Sequence, residues 1–87
     1  PPTATGTVYY AVSDQPLIEV NHPDVLVQLV LDHSQDERIL YSGSVPWNGS
    51  ADQFNPGPND GQQNHIYVVL EYKGVRMMFI DILNQVH

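Results

Sequence analysis

The chain contains no cysteine, so neither a disulfide framework nor a thiolate metal site holds its fold. The compartment stays open, because extracytoplasmic proteins also do without cysteine. Basic charge is nearly as scarce: Arg38, Lys73 and Arg76 stand against ten acidic residues, for a formal net charge of −7. That balance argues against the phosphate backbone of a nucleic acid and against an anionic lipid surface as partners. No run approaches the ~20 apolar residues of a membrane-spanning helix, and no signal peptide is visible at the start. No window carries capped helical spacing over three turns, so the sequence predicts no helix. The seven prolines and six glycines cluster in loops and form no repeat. With 87 residues the chain makes one domain that buries on the order of 60 to 65 % of its unfolded surface, enough for one modest core.

The strongest pattern lies near the end. Residues 65–72 and 75–82 are rich in β-branched and aromatic side chains and are separated only by Lys73-Gly74. That is a hairpin signal, since glycine takes the positive φ of a tight turn. An isolated hairpin is marginal in water, so the preceding chain must cover it.

Taken in order, residues 1–3 read as an extended leader opened by Pro1-Pro2, which brings no backbone donors to a ladder. Residues 4–12 alternate like a strand, and Gly6 within them signals a bulge or a close backbone approach. Leu17-Ile18-Glu19-Val20 is a short strand candidate, and Asn21-His22-Pro23-Asp24 a turn. Residues 25–32 read as a central strand, with Val25, Val27, Leu29 and Leu31 on its core face and Leu26, Gln28, Val30 and Asp32 on a mixed face. Residues 38–45 form a less regular strand that Pro46 ends or confines to an edge. From 47 to 64 the chain reads as a long Gly/Pro-rich loop holding Gln53-Phe54 as a short strand or apolar peg. The fold class is therefore all-β: a single antiparallel β-sandwich domain, 1–87, of about six or seven strands.

Candidate chemistry is thin. His22, His33, His65 and His87 fall in separate turns or termini, without the spacing of metal ligands. Asn59-Asp60-Gly61 is explained by turn chemistry, because Pro56 and Pro58 interrupt the alternate oxygens of a calcium loop. Asn48-Gly49-Ser50 fits a glycosylation sequon, but such triplets occur often by chance and it reads as a turn. Ser13, Ser34, Ser42, Ser44 and Ser50 lack a nucleophile-elbow context. Asp32, Asp36 and Glu37 read as a solvated turn. No catalytic, cofactor or metal residue is assigned, and the expectation is a non-enzyme. Trp47, Phe54, Tyr41 and Tyr67 lie near the irregular segment, and the mixed face of Leu26, Val30, Val69 and Met78 holds more apolar surface than one layer requires.

Three blocks resemble a known family. Thr5-Gly6-Thr7-Val8-Tyr9-Tyr10, then residues 23–32 followed by Ser34 and Asp36, then Ile66-Tyr67-Val68-Val69-Leu70-Glu71 with Gly74 and Met78-Phe79 are similar, in order, to the YscW/YbaY-type lipoproteins. The resemblance implies a β-sandwich at the periplasmic face of the outer membrane in a Gram-negative bacterium. It further implies a pilotin role in type III secretion: binding the C-terminal segment of a secretin and assisting, like a chaperone, its targeting and assembly. The family's lipid anchor sits on an N-terminal Cys that this chain does not hold, which implies a mature domain beginning after the anchor. The expected partner contacts are Leu26, Val30, Trp47, Phe54, Val69 and Met78. Two alternatives stand beside this reading: a carbohydrate-binding sandwich using Trp47 and nearby tyrosines, and a periplasmic lipoprotein domain without a secretin partner.

Overall fold

The computed structural model describes residues 6–32, 36–47 and 64–80. Among them four strands form one antiparallel sheet in the order β2-β1-β3-β4, and one helix lies between the first two strands in sequence. β1 (Gly6–Ser13) occupies the centre, pairing with β2 (Ile39–Trp47) on one side and β3 (His65–Tyr72) on the other. β4 (Val75–Ile80) closes the far edge. Pro46, whose missing donor suits an edge, lies on β2, the opposite edge strand.

The helix α1 (Pro23–Leu31) occupies the stretch expected to be a central strand, and corrects both that expectation and the expectation of no helix. Its start has the chemistry of a helix N-terminus. His22 is extended and its Nδ1 accepts the Asp24 backbone N–H at 3.2 Å, Pro23 follows, and acidic Asp24 stands in the first turn. At the other end the Asp32 N–H donates to the Gln28 carbonyl at 2.9 Å, while the Gln28 amide donates to the Asp32 carboxylate at 2.8 Å. The buried residues are Leu26, Val27 and Val30, at helical spacing, whereas Val25 and Leu31 are exposed. Residues 25–32, Val and Leu at every position but Gln28 and Asp32, satisfy both periods, and only the burial distinguishes them.

Residues 17–20 are likewise not a strand. The Val20 N–H donates to the Leu17 carbonyl at 2.9 Å in a turn that drives Leu17 and Val20 into the core and leaves Ile18 85 % exposed. The Leu17 N–H donates to the buried Tyr67 hydroxyl at 2.6 Å, so a polar group taken from water is satisfied by the sheet itself. Ser13, also buried, accepts the Gln15 N–H at 3.1 Å and turns its hydroxyl toward the carbonyls of Gln15 and Arg38 at 2.7 and 3.0 Å. The sheet register slips between Val12 and Ser13, which pair with Tyr41 and Ile39, so the irregularity sets Leu40 of β2 as an extra residue opposite the end of β1 and lies far from Gly6.

The sheet carries an apolar cluster on each face. On the helix side Ala11, Tyr67 and Val69 meet Leu17, Val20, Leu26, Val27 and Val30, with Tyr9, Leu29, Ile39 and Met78 packed around them. On the far side Val8, Val12, Ile66 and Val68 are flanked by Tyr10, Val45, Trp47, Leu70 and Phe79. The expected sandwich of six or seven strands is thus, among the described residues, one four-stranded sheet with a helix on one face. The Gln53-Phe54 candidate and residues 81–82 of the last strand lie outside the described residues. The closing hairpin forms as expected around Lys73-Gly74, both at positive φ (51° and 79°), the pattern of a type I′ turn.

Each fully buried aliphatic side chain contributes roughly 1.5–3 kcal/mol, so Leu26, Val27 and Val30 hold the helix where its short length alone would not. Leu26→Ala is expected to destabilise the domain by about 2–5 kcal/mol in urea unfolding. Ile18→Ala, at an exposed position of similar apolarity, is expected to stay within about 0.5 kcal/mol.

Candidate partner-binding surface

The register sorts the far face into rows. Trp47 on β2 and Tyr72 on β3 both stand opposite Gly6 of β1, and Val75 of β4 stands opposite Tyr72. Because Gly6 puts no side chain between them, the two rings meet over the central strand edge to face, with centroids 5.5 Å apart and planes at 90°. A Cβ on Gly6 would collide with the Glu71 carbonyl oxygen and crowd the Trp47 ring at 3.3 Å, which is the close approach its position in the sequence signalled. The next row runs Val45, Val8, Leu70, Met77. Its inner members are covered, whereas at the β4 end Val75 is 60 % and Met77 49 % exposed, beside exposed Tyr72.

The helix side of the same strands is polar at its end. Arg76 of β4 donates from Nε to Glu71 of β3 at 2.7 Å and from Nη1 to Asp24 at the start of α1 at 2.8 Å, raising its own pKa through those bonds. One guanidinium thus serves two carboxylates and turns inward from the strand edge. Arg38 does the same at the other end of the sheet, bonding Asp36 at 2.6 Å and Glu19 by a second, short pair. Its hydrogen bonds hold the Asp36 carboxyl down to about 2 and lower Glu19 as well. Among the described residues no group of three His, Asp or Glu side chains is placed to hold a metal ion, and no helix is long and apolar enough to cross a membrane.

The expected contact residues separate. Leu26, Val30 and Val69 lie in the core between α1 and the sheet, where a partner cannot reach them without lifting the helix. Met78 is half-buried against the same core, and Trp47 is half-buried against Tyr72. Phe54 lies outside the described residues. With α1 at Pro23–Leu31 in place of a strand, the side chains of Leu26, Val30 and Val69 are buried, and the exposed apolar side chains of β4 are Val75, Met77 and Ile80. Val75 and Met77 were legible as surface candidates from the hairpin alone, since alternation sets them together on the face that carries Tyr72.

Comparisons with protein-family models, with curated proteins and with solved structures find no match to this chain.

Two measurements test this arrangement. Gly6→Ala is expected to cost about 1–3 kcal/mol and to shift the emission of Trp47, the single tryptophan, as the ring is displaced. The acid response follows from Asp36, whose folded pKa of about 2 lies below its ordinary 3.8. The stabilisation is therefore present above the ordinary value and drains away as the pH falls from about 4 toward 2. Urea midpoints of the native chain should decline over that window, and Asp36→Asn should flatten the decline.

Proposed function

We propose that this domain is a non-enzymatic binding module that captures an apolar segment of another polypeptide, and specifically a secretin pilotin of type III secretion. The observation that supports binding is the exposed apolar flank of Tyr72, Val75 and Met77 at the β3–β4 hairpin, where β4 is the edge strand among the described residues. Large aromatic and aliphatic side chains clustered at a surface lose water on contact and bring little conformational entropy to lose, which is how a few residues carry the affinity of an interface. Such a role needs a stable scaffold and a docking strip, with no acid, base or metal in it. The secretin partner, the lipid anchor, the outer-membrane location and the family's β-sandwich come with the resemblance to YscW/YbaY-type lipoproteins and belong to this proposal alone. Stacking of a sugar on Trp47 draws no support from a ring already packed over Gly6 against Tyr72.

The test is a titration with synthetic peptides from the C-terminal ends of secretins, following Trp47 emission. Saturable binding that weakens about tenfold in Val75→Ser/Met77→Ser, with the fold intact by circular dichroism, supports the proposal. Flat emission and unmoved amide resonances with every secretin peptide would remove it.

A further inference from the structure

We infer that the outer edge of β4 takes up an extended, antiparallel segment of a partner chain as an added strand, apolar on the side of Val75 and Met77 and basic on the side of α1. This rests on the binding role proposed above and adds to it the conformation and the charge pattern of what is bound.

The hydrogen-bond phase of the edge follows from the turn. A two-residue type I′ loop makes its flanking residues a hydrogen-bonded pair, so Tyr72 and Val75 exchange both backbone bonds, and so do the pairs Leu70/Met77 and Val68/Phe79. Arg76, Met78 and Ile80 consequently aim their N–H and C=O groups away from β3. Among the described residues no strand lies beyond them. Proteins commonly blunt such an edge with proline, a bulge or an outward charge. β4 contains no proline, its register with β3 is unbroken, and its one charged side chain, Arg76, is turned inward onto Glu71 and Asp24.

The two faces of the edge ask for different side chains. On one, an added strand continues the rows that end in exposed Val75 and Met77. On the other it meets Met78 and the half-exposed Ile80 and, around Arg76, two carboxylates, Glu71 and the 65 % exposed Asp24, that share one guanidinium and keep a net charge of −1. A second copy of this chain fits poorly, because each copy carries a formal charge of −7 and their approach is repulsive. The same charge draws in a cationic segment.

The probe is an eight-residue peptide alternating valine with lysine, compared with its valine–glutamate counterpart and with two N-methylated forms. In an antiparallel addition the lysines stand opposite Arg76, Met78 and Ile80 and use their own N–H groups on β4, while the valine N–H groups face solvent. The lysine peptide should slow amide exchange at Arg76, Met78 and Ile80 and bind about tenfold more tightly than the glutamate peptide at low salt. Methylation of the lysine N–H groups should weaken it about tenfold, and methylation of the valine N–H groups should weaken it much less. Equal loss from both methylations, shifts confined to other elements, or no binding would overturn the inference. So would protection of the same amides by raising the protein concentration alone, which would make a second copy the occupant. A secretin peptide that binds while the β4 amides stay unchanged overturns strand addition and leaves the binding role standing. A lysine peptide that docks on β4 while every secretin peptide is silent removes the pilotin reading instead.

Discussion

The structure depends on α1 lying flat on β1 and β3. A four-stranded sheet with apolar side chains on both faces cannot leave the Ala11, Tyr67 and Val69 face in water, and among the described residues the helix supplies most of its cover. Nine residues are too few for a helix to persist by itself. The helix exists because the sheet needs its apolar stripe, and the sheet is covered because the segment before the helix is held in place. Tyr67 does much of that holding: its ring fills the core while its hydroxyl accepts the Leu17 N–H, so one side chain fixes both the depth and the direction of the chain entering α1.

The two arginines divide the remaining positional work. Arg38 ties the turn before β2 to Glu19 in the segment leading to the helix, and Arg76 ties the β3–β4 hairpin to Asp24 at the helix start. These pairs are partly exposed and contribute modestly to stability, but each joins two elements that are far apart in sequence. Both guanidinium groups are thus taken up by intramolecular pairs, while among the described residues Asp14, Asp32 and Glu37 are exposed.

The same economy shapes the opposite face. Gly6 gives up packing on the central strand, and the gap lets Trp47 and Tyr72 meet across it, building an aromatic row from strands that do not pair. That row ends at Val75, on the strand that among the described residues forms the edge of the sheet. Among the described residues no strand covers that edge, and a regular edge with apolar side chains on one face is an aggregation hazard that proteins commonly manage by covering or pairing it.

The residues by themselves determined the closing hairpin, because Lys73-Gly74 between β-branched runs leaves the backbone one good turn, and they determined β1, the body of β2 and the edge position of Pro46 for equally local reasons. Pro23, Asp24 and the Gln28/Asp32 pair fit the helix that forms there, but by local pattern residues 21–24 are a turn and residues 25–32 alternate as a strand. Whether residues 25–31 coil or extend was decided by the sheet, since only a helix sets Leu26, Val27 and Val30 together over Ala11 and Val69. With that choice the surface changed too: Leu26, Val30 and Val69, expected to face a partner, became core, while Val75 and Met77 stayed exposed on β4. Burial is a property of what lies above a residue in space, and a one-dimensional pattern does not contain it.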